Sequence, residues 1–184
     1  MRKVKNPQRQ EWEAIGIERA KESRGSLGLG VGPISDIFQI IEQQGILLIR
    51  YPAPTGELHA FYAEIDGFPV IYINSAEVLG RQIFSAAHEL CHFLYDRDSL
   101  KTFLCNPGGQ NDKEDKAEII ADTFAGEFLI PKSGVQSVFY KYFNNTQMIN
   151  EVHVIKMQHY FKVSYGAMVY NMFKSGVISG ATYG

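Results

Sequence analysis

Two histidines and a glutamate, arranged as His88-Glu89-Leu-Cys-His92, are the residues of this 184-residue chain best suited to carry chemistry. On a helix, side chains four positions apart project from the same face, so the two imidazoles can bind one metal ion. Glu89, one position on, can then reach a water molecule on that metal. The alternative is a pair of exposed histidines beside a surface glutamate. The spacing favours a metal site.

A carboxylate pair later in the chain, Glu118 and Asp122, adds to this prediction. Catalytic zinc needs a third protein ligand and an open fourth position, and Glu118 would complete a His-His-Glu set. Asp122, one helical turn later, would accept the second ring N–H of a ligand histidine and fix its tautomer. A solvated acidic helix face is the alternative, but apolar residues surround the pair. Zn²⁺ is the default metal, with Mn²⁺ or Fe²⁺ also compatible with these ligands.

The elements that must position these groups follow from hydrophobic periodicity and from helix and turn signals. Helices are predicted over residues 8–24, 36–44, 76–95, 111–130, 134–143, 148–161 and 165–174, and strands over 46–51, 58–65 and 68–74. Helix caps are expected at Ser35 and Ser164, with a capping box at Asn111 and Glu114. Asp66-Gly67 predicts a two-residue hairpin. The pattern indicates an α+β fold, a small antiparallel sheet packed by helices.

The strand over residues 68–74 immediately precedes the metal helix. If it lies at a sheet edge, it could align an extended substrate by strand addition. A scaffold role in the core is the commoner use of such a strand.

Three segments are expected along the chain: an N-terminal helix and glycine-rich linker (1–34), the core (35–131) and a C-terminal helical element packed on the core (132–184). The glycine-rich stretch over residues 25–33 has no Gly-Lys-Ser/Thr ending and no preceding strand. It therefore reads as a linker rather than a phosphate-binding loop.

The composition is that of an ordinary globular protein, with 45% hydrophobic and 21% charged residues. These values exclude disorder, collagen-like repeats and a coiled coil as the main architecture. The net charge of -2 gives no global basic field for nucleic acid. No apolar run approaches the roughly 20 residues of a membrane span, and no secretion signal is recognisable. Two cysteines make no disulfide framework, so a cytoplasmic location is expected.

Two sequence segments resemble the ImmA/IrrE family of metallopeptidases: RQIFSAAHELCH at 81–92 and EIIADTFAGEFLIP at 118–131. Similar proteins have Arg and Phe before HELGH, then Glu-x-x-Ala-Asn/Asp-x-Phe-Ala and a Leu-Met-Pro-like turn. The resemblance covers residues 35–131 well and extends weakly to 160–168, which is similar to a helix–turn–helix-like element. It implies a zincin-like core and a cytoplasmic endopeptidase that cleaves a regulatory protein. That protein would be a partner transcriptional repressor, in a stress response or on a mobile element.

The implied mechanism gives Glu89 the part of general base, taking a proton from a zinc-activated water as it attacks a peptide carbonyl. A further donor to the oxyanion is expected, and the candidates by residue type are Tyr95, His153, His159 and Tyr165. For each of them, an ordinary packing or surface role is the more common one.

Cys91 stands where similar proteins usually have Gly. A cysteine beside a metal could be an extra ligand or a redox switch, but a buried cysteine more often acts as a small hydrophobic residue.

A regulatory binding module is the alternative function, with the C-terminal helices contacting DNA or a repressor and the metal non-catalytic. The segment over residues 148–174 has a charge of only +2, from three Lys and one Glu. Its Tyr, Phe and Met residues suit a packed core better than a groove that follows phosphates. Structural zinc sites are usually four-ligand and Cys-rich. Direct nucleic-acid binding is therefore not expected.

Overall fold

The computed structural model describes residues 6–54, 58–97, 112–143 and 149–179. Its helices are α1 (Pro7–Ser26), α2 (Ile37–Gln43), α3 (Leu79–Tyr95), α4 (Asp112–Leu129), α5 (Lys132–Phe143), α6 (Glu151–Phe161) and α7 (Tyr165–Lys174). Its strands are β1 (Leu47–Tyr51), β2 (Ala60–Ile65) and β3 (Phe68–Asn74). The predicted α+β class is confirmed, and the element ends lie within three residues of those expected from the sequence. Among the described helices, none is long and apolar enough to cross a membrane.

The sheet is mixed, with strand order β1-β3-β2, so the expectation of a wholly antiparallel sheet is wrong. β2 pairs antiparallel with β3, and β1 pairs parallel with β3 on its other side. Because the hairpin places β2 against one edge of β3, the remaining edge is the one left for β1. β3 is therefore the central strand and has no free edge for a substrate. Residue alternation marks strands but carries no information about their direction.

Asp66 and Gly67 form the hairpin turn between β2 and β3, as predicted. Both have positive φ, 50° and 82°. This left-handed pair is the type I′ geometry that matches the twist of the flanking strands, and Asp-Gly adopts it readily.

Two helix starts differ in how well their caps were predicted. Asp36, not Ser35, caps α2: its Oδ1 accepts from the backbone N–H groups of Phe38 at 2.9 Å and Gln39 at 3.3 Å. Ser164 caps α7 as expected, accepting from the N–H of Ala167 at 3.2 Å. The capping box expected at Asn111 and Glu114 lies outside the residues and side chains described.

The core places α3 between the sheet and α4. Leu90 of α3 is fully buried, as are Ile71 and Ile73 on the helix-facing side of the sheet and Phe124 and Phe128 of α4, and all five belong to one hydrophobic core. An amphipathic helix buried on two sides is held by packing rather than by propensity. The rotation of α3 about its axis is thereby fixed.

α1 lies along α4 at very short range. A Cβ atom added at Gly16 would sit 2.6 Å from the carbonyl oxygen of Ile120, so only glycine permits this approach. At the end of α1, the buried guanidinium of Arg24 donates to the carbonyl oxygens of Gly30, at 2.8 Å, Gly32 and Phe128. The glycine-rich stretch is therefore fastened to α4 by one arginine.

Candidate metal centre

α3 brings His88 and His92 together on one face. Their Nε2 atoms lie 3.1 Å apart, and the ring centroids are separated by 4.8 Å. The opposite face of the helix carries Ala86, Ala87 and Leu90, which are fully buried. Because that packing fixes the rotation of the helix, the two imidazoles must point toward α4.

α4 supplies Glu118 to the same point. One carboxylate oxygen, Oε2, lies 3.2 Å from His88 Nε2, and the other, Oε1, lies 3.3 Å from His92 Nε2. Ligand atoms of the three residues all lie within 4.8 Å of one another. The structure thus brings together the three side chains that the sequence predicts as ligands.

The spacing of these donors fits a zinc ion. Tetrahedral zinc with bonds of about 2.0–2.1 Å has its ligand atoms about 3.3–3.4 Å apart. The two Nε2 atoms are 3.1 Å apart, and each has a different Glu118 oxygen at 3.2 or 3.3 Å, so the carboxylate lies across both imidazoles at close to this spacing. Two imidazoles and one carboxylate also leave a fourth position for water or substrate, which is the composition of catalytic rather than structural zinc sites.

Carboxylates hold the outward-facing nitrogen of each imidazole. His88 Nδ1 lies 3.0 Å from Asp122 Oδ1, the contact that the sequence predicts. His92 Nδ1 lies 3.0 Å from Asp96 Oδ2, a contact that was not predicted from the sequence. Asp96 follows His92 by four positions and caps the C-terminus of α3, and this spacing was the available signal. With both Nδ1 atoms bonded outward, both Nε2 atoms are directed at the centre.

A basic residue from α1 supports the second of these carboxylates. Arg19 Nη1 lies 3.4 Å from Asp96 Oδ1. Its guanidinium also lies over the Tyr95 ring, 4.5 Å from the centroid. The N-terminal helix therefore contacts the site through a chain of three residues, from Arg19 to Asp96 to His92.

The carboxylates around the two imidazoles favour the protonated form of each histidine. Burial disfavours protonated imidazoles, but hydrogen bonds to Asp122 and Glu118 outweigh it and raise the pKa of His88 to about 10. His92, buried and bonded to Asp96 and Glu118, has its pKa raised to about 9. Hydrogen bonds from the two histidines hold the pKa of Glu118 well below its usual range. The site stabilises positive charge between these groups, as a metal site must.

Glu89 is buried beside this cluster. Burial raises the pKa of its carboxyl group, although the nearby imidazoles of His88 and His92 act in the opposite direction. The carboxylate also accepts a hydrogen bond from the backbone N–H of Tyr62 on β2. A carboxyl group with a raised pKa, held by an adjacent strand, is equipped to exchange a proton.

Two of the four candidate oxyanion donors are engaged elsewhere. The hydroxyl of Tyr95 bonds to Ser23 Oγ at 2.9 Å and to the Arg19 carbonyl at 3.0 Å, facing α1. His153 takes part in the capping box at the start of α6. The other two candidates, His159 and Tyr165, are exposed on α6 and at the start of α7.

Cys91 lies on the packed side of α3. It is fully buried among the core hydrophobic residues, and burial raises the pKa of its thiol to about 12. Its environment is that of a small hydrophobic residue, not of a reactive thiol.

Comparison with known proteins gives a matching family and similar solved structures. Residues 41–173 match a peptidase family model described as the IrrE N-terminal-like domain. The fold is similar to that of a Mycobacterium tuberculosis transcriptional regulator, with 16% sequence identity and a TM-score of 0.49. That similarity covers 95% of this chain and 49% of the regulator, so the chain spans about half of the regulator's length. No curated protein sequence gives a significant match.

Proposed function

Because the chain belongs to the peptidase family of the IrrE N-terminal-like domain, we propose that it is a zinc-dependent endopeptidase acting on a regulatory protein. The substrate that fits the family best is a partner transcriptional repressor. The observation that carries this proposal is the convergence of His88, His92 and Glu118 beside the buried carboxyl group of Glu89.

The four residues divide the work of peptide hydrolysis. His88, His92 and Glu118 are the proposed ligands, and zinc bound to them would lower the pKa of a water to about 7 and polarise the peptide carbonyl. Glu89 takes up the proton of the attacking water and then donates it to the leaving amine. Its raised pKa makes the carboxylate a stronger base toward the water than an ordinary glutamate, and the protonated carboxyl group is still a far stronger acid than the ammonium group of the leaving amine.

The position of β2 beside Glu89 suits a substrate that binds in an extended conformation. β2 is an edge strand, and the N–H of its residue Tyr62 bonds to Glu89. Within the described part of the sheet, the edge of β2 that faces away from β3 therefore lies beside the carboxylate of Glu89. A peptide that pairs with this edge would run past the centre in an extended conformation. β2 would then have the substrate-aligning role that was expected for the strand over residues 68–74.

The C-terminal helices give less support to direct DNA binding. Lys162 Nζ donates to the carbonyl of Ser35, and the ammonium groups of Lys156 and Lys174 lie over the rings of Phe143 and Tyr170. Lysines placed against their own fold are poor contacts for phosphates. We therefore propose that these helices pack on the core and do not bind DNA directly.

Proteolysis can be tested with the metal-free protein, a repressor encoded by a neighbouring reading frame and a proteome-derived peptide library. We expect discrete cleavage products by mass spectrometry after zinc is added, and none after a chelator. The matched variant Glu89→Gln should retain the metal and lose activity by about 10²–10⁴-fold. Equal cleavage by Glu89→Gln, or no cleavage of either substrate by zinc-loaded protein, would contradict the proposed function.

A further inference from the structure

The side of the sheet that points away from α3 carries apolar side chains at nine outward positions. We call this surface the outer apolar face; its members are Leu47, Ile49 and Tyr51 on β1, Phe68, Val70 and Tyr72 on β3, and Phe61, Ala63 and Ile65 on β2. Six of them, all large, are between 40% and 70% exposed. Monomeric proteins rarely expose a contiguous apolar patch of this kind.

The charged residues of the same strands point the other way, toward the helices. Arg50 Nη2 donates to Gln82 Oε1 on α3 at 2.8 Å, and its guanidinium lies 4.0 Å from the centroid of the Phe38 ring. Glu64 accepts from Arg97 Nε at 2.8 Å. In a sheet with one solvated face, charged residues occupy the solvated side. Here the pattern is inverted, so the outer apolar face has the composition of a buried surface.

The described helices leave this surface uncovered. α3 contacts the sheet through β2 and β3, and α2 contacts it through β1, with the buried residues Ile71 and Ile73 on the helix side. A partner for the outer apolar face must itself be apolar, because the nine positions offer no charge to match. A second copy of this chain presents such a surface, and a two-fold axis makes a surface complementary to itself.

We propose that two copies of this chain associate through their outer apolar faces. A large apolar side chain can bury about 150–250 Å², so six of them at the observed exposures present on the order of 600 Å² per copy. A face-to-face pair would bury about 1,200 Å² in total, the lower end of specific interfaces. The dimer is therefore of moderate affinity, with a dissociation constant on the order of micromolar.

The aromatic residues of the face are held in place before association. The rings of Phe61 and Tyr72 stack with centroids 5.2 Å apart, and the Tyr72 hydroxyl donates to the Tyr51 carbonyl at 2.7 Å. Fixed side chains lose little rotamer freedom on binding, which favours association. Sheets packed face to face lie about 10 Å apart with strands rotated by about 30°. The metal centre is on the helix side, so dimerisation is independent of the proposed function.

Sedimentation velocity of the full chain between about 1 and 200 µM tests this directly, since moderate-affinity dimers dissociate within that range. The wild type should shift from monomer to dimer with rising concentration. The double variant Leu47→Lys, Phe68→Lys should raise the dissociation constant at least about 100-fold. The control Val152→Lys changes an equally exposed apolar residue on α6 and should dimerise like the wild type. Circular dichroism would establish that all three proteins are folded.

Two results would overturn the dimer. One is a wild type that stays monomeric at the highest concentration, and the other is a folded double variant that still dimerises. If the double variant does not fold, hydrogen exchange of the wild type at the two extreme concentrations decides. Slower exchange in β1 and β2 at high concentration supports the dimer. Equal exchange contradicts it, and protection at both concentrations would mean that another occupant covers the outer apolar face.

Discussion

The two helices that form the metal centre differ in how they hold their groups. The α3 side chains of His88 and His92 are only 13% and 5% exposed, whereas those of Glu118 and Asp122 on α4 are 55% and 64% exposed. α3 is packed between the sheet and α4, so its imidazoles are placed by the core. The carboxylates of α4 reach them from the solvent side. Core packing thus fixes the α3 half of the centre, the two histidines. The α4 half, the two carboxylates, remains open to a substrate.

Removing one proposed ligand from each helix should have the largest effect on metal binding. The accompanying changes in stability should distinguish the α3 half of the centre from the α4 half. His92→Ala and Glu118→Ala are each expected to weaken metal binding by at least about 100-fold, measured by elemental analysis and chelator competition. In metal-free protein, His92→Ala should also cost about 2–4 kcal/mol, because it opens a cavity and leaves Asp96 with one partner fewer. Glu118→Ala should cost no more than about 1 kcal/mol, since the lost contact is exposed.

Lys116→Ala is the matched control, another exposed residue of α4 that should alter neither quantity. Full metal content in purified Glu118→Ala would exclude Glu118 as the third ligand. Equal stability losses in the two ligand variants would remove the contrast between the halves.

Asp96 and Asp122, which contact the outward-facing imidazole nitrogens, provide a finer comparison of the two halves of the centre. Asp96→Asn and Asp122→Asn keep the shape but replace a charged acceptor by an amide. Each should lower metal affinity by about 10–100-fold in chelator competition, with circular dichroism unchanged. Asp96, which is more buried and bonded to Arg19, should give the larger loss. If Asp122→Asn has unchanged affinity and turnover, its side chain is part of a solvated helix face.

Metal affinity should rise with pH, because the protons on His88 and His92 must be displaced. The raised pKa values of about 10 and 9 mean that the imidazole pair carries at least one extra proton at neutral pH in the metal-free protein. Between pH 6.5 and 8.5 the zinc affinity should therefore increase by about 10–100-fold per pH unit. Calorimetry in buffers of different ionisation enthalpy would count the released protons. Zinc binding without proton release would contradict the charge state inferred for the histidines.

The smallest effect is expected for alkylation of the Cys91 thiol, although Cys91 lies between the two histidines in sequence. In a Cys105→Ser background, iodoacetamide should label the folded protein at less than about a hundredth of the rate for the unfolded chain. Burial and a thiol pKa of about 12 are the reasons. Labelling that zinc blocks and metal removal restores would instead indicate a cysteine at the metal.

Much of the site could be predicted from local spacing in the sequence, whereas the strand directions in the sheet could not. His88, His92 and the Glu118–Asp122 pair lie on helices, where four-residue spacing fixes a common face, so their meeting could be predicted. Asp96 follows His92 at the same four-residue spacing, so its contact with His92 could also have been predicted. The contacts of Arg19 and of the Tyr62 N–H depend on how α1 and β2 pack in three dimensions. The parallel pairing of β1 depends on which edge of β3 was left free, which residue alternation does not encode.

X-ray absorption spectroscopy at the zinc edge tests most directly the claim that α3 and α4 jointly bind one catalytic metal. The zinc-loaded wild type should contain one zinc per chain, with two imidazoles and one or two further oxygens at about 2.0–2.1 Å. Glu118→Ala should change the oxygen shell while the histidine signal in any remaining zinc persists. A sulfur neighbour at about 2.3 Å, or only one imidazole, would contradict the proposed ligand set of His88, His92 and Glu118.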